Sequence, residues 1–192
     1  MGLSNEEITN KLKKSLKKDR YKHTIGVAYT ASSLAMRYGE DIDRAFTAGL
    51  LHDCAKAYSS DEYIKMAKKY GISVNKFEMQ SPGLLHAKLG AYFAKEKYQI
   101  DDKEILSSIV CHTTGKPGMS MLEKIIFTAD YIEPGRFKAL RLDEIRKVCF
   151  ENIDDGIRMI LSDTVDHLNE TKSVIDTMTI DTYNFYINQE IK

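Results

Sequence analysis

Helical signals extend along almost the whole chain, and they restrict the possible folds more than any other property of the sequence. Apolar residues recur at the three- and four-residue spacing of amphipathic helices, strand-like alternation is nearly absent, and the 192 residues include only three prolines. Ser4 and Ser59 begin capping-box patterns that open helices, and Gly39 and Gly71 stand where helices are expected to end. We therefore predict an all-α fold.

The same signals predict the individual helices and their grouping into one domain. Helices are expected over residues 4–18, 20–38, 41–53, 59–70, 85–98, 101–112, 122–131, 143–168 and 179–189. A chain of 192 residues that is 43% apolar supplies one sizeable core, and no flexible linker divides it. We therefore predict a single helical bundle over residues 1–192, in which the chemical motifs lie within 20–136 and C-terminal helices over 143–190 complete the bundle.

Composition excludes several classes of partner. Lys and Arg together number 28, as do Asp and Glu, so the formal net charge of zero gives no bulk attraction to nucleic acid or to membranes. We find neither an apolar run of about 18 residues nor an N-terminal signal core. The three cysteines form no C-x-x-C pair and are typical of reduced thiols. We expect a cytoplasmic protein without a nucleic-acid or membrane partner.

A set of histidines and aspartates is the strongest chemical signal in the sequence. Each histidine of the set falls on or at the end of a predicted helix, and both aspartates interrupt apolar surroundings, where an unpaired carboxylate is costly. The set comprises His23, His52, Asp53, His86, His112 and Asp130. Imidazole and carboxylate together suit Zn, Fe, Mn or Mg. A bound metal explains the whole set, whereas the isolated His167 is interpreted as structural.

Five motifs in order resemble a known family. They are RYKH at 20–23, LHDCAK at 51–56, the single His86, HTTG at 112–115 and ADYIEPGR at 129–136. Together they resemble the HD superfamily of metal-dependent phosphohydrolases, and more closely the bacterial HD-domain symmetrical bis(5'-nucleosyl)-tetraphosphatases. The resemblance implies a single HD-type domain that hydrolyses diadenosine tetraphosphate and related dinucleoside polyphosphates symmetrically, giving two ADP.

The resemblance also implies a metal site. It assigns a primary iron ion, Fe2+ or Fe3+, with Mn, Co or Mg as possible substitutes, to His23, His52, Asp53 and Asp130. His86 and His112 then have two alternatives: they bind a second ion across Asp53, at the spacing of about 3.5–4 Å that two-metal sites show, or they contact phosphate, as imidazolium if protonated. We favour one firmly held ion, with the second bound conditionally.

Residues beside these ligands are candidates for substrate binding. Lys56, Arg136 and Thr113 are expected to contact phosphate, and Arg20 is an equally balanced candidate. The segment between the last two helices, with Ile175, Asp176 and Thr177, is a candidate frame for the nucleoside, although a plain loop fits it as well. We expect a dinucleoside polyphosphate, or an ADP- or GDP-type nucleotide, as the small-molecule partner. The family also implies a homodimer.

Two other functions stay open on sequence alone. The first is a different HD phosphohydrolase activity, on mononucleotides or cyclic dinucleotides. The second is a metal-stabilised nucleotide sensor without turnover. Lys56 and Arg136 beside a full ligand set argue against the sensor, because binding alone needs no activated water.

Overall fold

Side-chain caps mark where most of the helices begin. The structure is a computed structural model that describes residues 2–137 and 139–188. Ser4, Ser59, Asn75 and Ser120 each form a capping box with a glutamate three residues later, as the sequence predicts for the first two. The helices are α1 (Asn5–Ser15), α2 (Lys18–Tyr38), α3 (Ile42–Leu51), α4 (Ser60–Lys69), α5 (Lys76–Gln80), α6 (Leu85–Tyr98), α7 (Lys103–Cys111), α8 (Met121–Ile132), α9 (Leu142–Glu151), α10 (Ile153–Glu170) and α11 (Thr177–Ile187), with a 3₁₀ turn at Pro82–Leu84. The described residues contain no strand, which confirms the all-α prediction.

Five helices form the centre of the bundle. Helix α2 packs along α3 and α8, and α7 packs against α3, α6 and α8. The backbones of α2 and α3 approach closely at Gly49, where an added Cβ would lie 2.7 Å from the Cα of Ala28. This close packing matters for function because α2, α6 and α8 carry His23, His86 and Asp130, while the residues that directly follow α3 and α7 are His52, Asp53 and His112.

The single long helix predicted over 143–168 is wrong. The structure has two helices there, α9 and α10, which meet at Asn152 in an extended conformation (φ −145°, ψ 111°). The error arises because Ile145, Cys149, Ile153 and Ile157 are all buried at a spacing of four residues, so the apolar pattern runs unbroken across the junction. The side chain of Asn152 instead caps α10, accepting from the backbone N–H groups of residues 154 and 155.

We expect Asn152→Ala to lower the free energy of unfolding by about 1 kcal/mol, because it removes this N-cap. Urea unfolding followed by circular dichroism measures the change. Asn169→Ala, on the exposed face of α10, is the matched control and should leave the free energy of unfolding unchanged or slightly higher. Equal stability of the two variants would contradict the capping role.

Smaller differences affect helix ends. Helix α1 ends at Ser15, three residues before the predicted end, and α2 begins at Lys18. The sequence analysis did not predict α5. Helix α11 begins at Thr177, two residues before the predicted start. The predicted end of that helix at Gln189, and residue 190 of the predicted C-terminal segment, lie outside the described residues.

The three cysteines pack inside the protein as free thiols. Cys54, Cys111 and Cys149 are free and buried, and burial raises the pKa of each thiol to about 12, so they behave as packing residues. Among the described residues, no helix combines the length and the apolar character that a membrane span requires.

Candidate metal centre

A tight turn brings His52 and Asp53 to the same side of the molecule. Helix α3 ends at Leu51, and the N–H of Cys54 then donates to the carbonyl of Leu51 and the N–H of Lys56 to that of Asp53. These bonds span three residues instead of four, so the turn winds more tightly than an α-helix. Side chains one residue apart project about 120° apart in such a turn, yet His52 and Asp53 meet at their tips, with 3.5 Å between His52 Nε2 and Asp53 Oδ2.

Three imidazoles are fixed by the carbonyl group three residues earlier in the chain. A carbonyl oxygen only accepts, so in each case Nδ1 carries a proton, and in the neutral ring Nε2 is then the nitrogen with the lone pair. The bonds are His52 Nδ1 to Gly49 O at 2.7 Å, His86 Nδ1 to Gly83 O at 2.5 Å, and His112 Nδ1 to Ile109 O at 2.7 Å. The chain thus holds all three Nε2 atoms in the form that binds a metal.

The first group of candidate ligands joins α2, α3 and α8. His23 Nε2 lies 3.3 Å from His52 Nε2 and 3.0 Å from Asp130 Oδ1, and His52 Nε2 lies 3.9 Å from the same Asp130 oxygen. Ligand atoms at these separations can share one divalent ion. The structure therefore brings together three of the four residues assigned to the primary ion, with Asp53 beside them.

Asp53 connects this first group to a second. Its Oδ2 lies 3.5 Å from His52 Nε2, while its Oδ1 lies 3.3 Å from His86 Nε2 and 3.6 Å from His112 Nε2. The two outer imidazoles also approach each other, with 3.1 Å between their Nε2 atoms. Asp53 Oδ1 is buried without a hydrogen-bond partner, which is costly in a protein interior unless a cation occupies the space beside it. The donor set and this orphaned oxygen fit a divalent metal ion.

The charge states also suit metal binding. Burial opposes ionisation of both aspartates. The imidazoles of His52 and His112 nevertheless hold the pKa of Asp53 well below its usual range. A hydrogen bond from His23, together with the imidazole of His52, likewise lowers the pKa of Asp130. Burial, aided by His112 and Lys56, lowers the pKa of His86 to about 3. His86 is therefore neutral at physiological pH, which favours the metal-ligand alternative over a phosphate-binding imidazolium.

Three cationic side chains surround the ligands. Lys56 Nζ lies 3.8 Å from Asp53 Oδ1 and 3.1 Å from His86 Nε2, and burial lowers its pKa. Arg20 Nη1 donates to Asp53 Oδ2 at 2.7 Å, and Arg136 Nη2 donates to Asp130 Oδ1 at 2.7 Å. Each of the three cations that are predicted to bind phosphate thus lies within 4 Å of a candidate ligand carboxylate, and each has a partly exposed side chain.

A cavity of about 290 Å³ lies close to His86 and His112, although neither imidazole is part of its lining. Thr113 lines it, and its hydroxyl lies 3.2 Å from His86 Nε2 and 3.1 Å from His112 Nε2. Asp176 and Thr177 also line the cavity, so the structure brings two of the three predicted nucleoside contacts to this place. Ile175 is outside the lining of this cavity.

Sequence reasoning missed Glu133. Its Oε1 lies 3.0 Å from His23 Nδ1. The Nδ1 partner of His23 is therefore a carboxylate, whereas the Nδ1 partners of His52, His86 and His112 are backbone carbonyls. Glu133 is only 3% exposed. A buried glutamate just after the helix that carries Asp130 was the available signal, but its partner lies 110 residues away in the chain.

Comparison with known proteins agrees with this architecture. Residues 20–135 match the HD domain family. A Bacillus subtilis protein named symmetrical bis(5'-nucleosyl)-tetraphosphatase is 34% identical over 97% of this chain and 99% of its own length. A protein of the same name from Halalkalibacterium halodurans is 38% identical over 90% and 91%. A crystal structure of a predicted HD superfamily hydrolase involved in NAD metabolism, from Clostridium acetobutylicum, has a TM-score of 0.93, with 38% identity over 99% and 100%.

The match to the family covers the segment that carries every candidate metal ligand. Relatives align over nearly the whole length of the chain, and a solved structure superposes over 99% of it. This chain therefore belongs to the HD domain family, in the group that includes the symmetrical bis(5'-nucleosyl)-tetraphosphatases.

Proposed function

We propose that this protein is a metal-dependent hydrolase that cleaves diadenosine tetraphosphate and related dinucleoside polyphosphates symmetrically. The observation that carries the proposal is the row of inward-facing Nε2 atoms joined by Asp53, which touches both groups of ligands. The substrate class comes from relatives with the same full-length alignment, which are named for this activity.

The metal ligands of the proposal are His23, His52, Asp53 and Asp130, and His86 and His112 complete a second position across Asp53. A divalent ion held there would supply Lewis-acid activation of water and neutralise phosphate charge. Iron is our choice of ion, because the resemblance to the family implies it and the set of imidazoles and carboxylates suits it. The neutral state of His86 supports its role as a conditional ligand.

The reaction transfers a phosphoryl group to water. A water oxygen forms a bond to the second phosphorus from one nucleoside, the bond from that phosphorus to the central bridging oxygen breaks, and two ADP molecules and protons are released. Lys56, Arg20 and Arg136, which approach the carboxylates of Asp53 and Asp130, would offset the negative charge of the phosphates. Thr113 offers a hydroxyl to a phosphate oxygen.

The cavity beside Thr113 is our candidate nucleoside site. With a base and ribose bound there, the phosphates would pass Thr113, whose hydroxyl contacts His86 and His112, and the length of this path would set which phosphorus is attacked. Asp176 is held by Asn75, whose Nδ2 donates to its Oδ2 at 3.0 Å, so this wall has a defined position before substrate binds. We propose Asp176 and Thr177, with the neighbouring Ile175, as the nucleoside frame.

Three further properties belong to the same proposal. Residues 1–192 act as one HD-type domain, since α10 packs against α8, the helix that carries Asp130. The protein acts in the cytoplasm, in keeping with its free cysteines. It forms a homodimer, for which Met178, Phe185 and Ile187 on α11 offer exposed apolar surface.

Product analysis tests the proposal most directly. Protein reconstituted with Fe2+ under anaerobic conditions should convert diadenosine tetraphosphate to ADP alone, as separated by chromatography, and a chelated sample should form no product. ATP with AMP would contradict symmetrical cleavage while keeping the metal site. Absence of turnover, with phosphate release from a mononucleotide, would replace the proposal by the other phosphohydrolase activity.

A further inference from the structure

We propose that Glu133 is a positioning residue that fixes His23 as a metal ligand, in a space that Gly26 and Gly135 keep open. This inference rests on the metal site of the proposed function and adds a determinant of it. The nearest contact is the 3.0 Å approach of Glu133 Oε1 to His23 Nδ1, on the side of the ring opposite the metal-facing Nε2. A carboxylate there holds the proton on Nδ1 and makes Nε2 a stronger donor to a metal than a backbone carbonyl would.

Two glycines create the room for this carboxylate. Gly26 lies three residues after His23 on α2, and a Cβ at that position would overlap Glu133 Oε2. The N–H of Gly135 donates to the same Oε2 at 2.6 Å. Both carboxylate oxygens therefore face donors, Oε1 the imidazole and Oε2 the backbone amide. No side chain larger than hydrogen fits at residue 26 while Glu133 keeps this position.

Helix α9 holds the segment that carries Glu133. The guanidinium of Arg146 donates to the carbonyls of Ile132, Glu133 and Arg136, each at 3.0 Å. These bonds restrain the backbone on both sides of the glutamate, so its side chain approaches His23 from a fixed point. The carboxylate is 3% exposed and is thereby protected from competition with water.

Substitution by glutamine separates this role from simple packing. Two N–H donors face Glu133, but a glutamine has one acceptor oxygen, so its amide NH2 must face either Gly135 or His23. If it faces His23, the imidazole proton moves to Nε2 and blocks metal binding. We expect Glu133→Gln to weaken the affinity for Co2+ about 10- to 100-fold and to alter the visible absorption spectrum of the bound Co2+.

Glu123→Gln is the matched control. Glu123 is also buried, at 2% exposure, and also binds side-chain and backbone donors, but it contacts Ser107, Lys116 and Ser120 and none of the candidate metal ligands. It should lose comparable stability in thermal unfolding while its affinity for Co2+ stays at the wild-type value. Gly26→Ala tests the same inference from the other side and should weaken Co2+ binding by displacing the carboxylate.

The outcomes distinguish this inference from the proposed function. Glu133→Gln that binds Co2+ with wild-type affinity and spectrum overturns the inference, even if its turnover falls. Should Glu133→Gln fail to fold, Gly26→Ala decides in its place, and wild-type Co2+ affinity in that variant likewise overturns the inference. A wild-type protein that binds no Co2+ would overturn the metal site itself, and with it the proposed function.

Discussion

Asp53→Ala is expected to lose bound metal and hydrolytic activity together. Asp53 approaches both ligand groups, with Oδ2 near His52 and Oδ1 near His86 and His112. Its removal takes away the charge that compensates the ion as well as one ligand atom. Lewis-acid activation contributes several kcal/mol to such reactions, so we expect kcat/KM for diadenosine tetraphosphate to fall at least about 1000-fold, which corresponds to about 4 kcal/mol.

Metal content after dialysis, measured by mass spectrometry, and product formation, measured by chromatography, are the two readouts for Asp53→Ala. Asp166→Ala is the matched control, because Asp166 is an exposed aspartate on α10 outside both ligand groups. It should keep the metal content and rate of the wild type. An active Asp53→Ala protein that holds no metal would remove the basis for the whole site assignment.

Lys56→Ala is expected to keep the metal and lose rate. Its ammonium group approaches Asp53 and His86 from the open side of the centre, where a phosphate oxygen would lie, but it cannot ligate a cation while protonated. Preorganised charge aimed at a transition state contributes about 100- to 1000-fold in turnover, and we expect a loss of that size in kcat. The melting temperature should change little, because the side chain is one-third exposed.

Lys65→Ala on the exposed face of α4 controls for the loss of a lysine and should retain full turnover. Metal content distinguishes the two substitutions, because we expect Lys56→Ala to retain the metal and Asp53→Ala to lose it. Loss of metal in Lys56→Ala would show that the lysine supports the ligands and would contradict its assignment to phosphate.

Local sequence signals predicted the parts of the fold that depend on local contacts. Gly39 ends α2 with φ of 72°, and Asp41 caps α3 through the backbone N–H of Arg44, both as the sequence indicates. The division between α9 and α10 was missed because Asn152 also stands within an unbroken apolar pattern. Apolar periodicity continues through Asn152, so it cannot reveal that one helix ends there and another begins.

For the site as well, the sequence predicted the residues that stand out locally and missed the contacts that depend on how the helices pack. The motifs predicted the residues that the structure collects around Asp53, since histidine and aspartate are conspicuous in apolar segments. Glu133 was missed because its contact with His23 spans 110 residues and depends on how α8 and α2 pack. The cavity between Thr113 and Asp176 likewise requires the placement of α11 against the rest of the bundle, which no local pattern encodes.

The hydrogen bonds that orient the four imidazoles have a consequence for how the protein acquires its cofactor. The partners of Nδ1 are three backbone carbonyls and Glu133, so protein groups alone set the directions of the rings. We therefore expect the rings to keep these directions without an ion, so that a bound ion could be exchanged while the chain stays folded. A set of imidazoles and carboxylates accepts several divalent ions, so the ion that is bound depends largely on which metals are available. We therefore expect preparations grown in different media to differ in specific activity until rates are divided by the measured metal content.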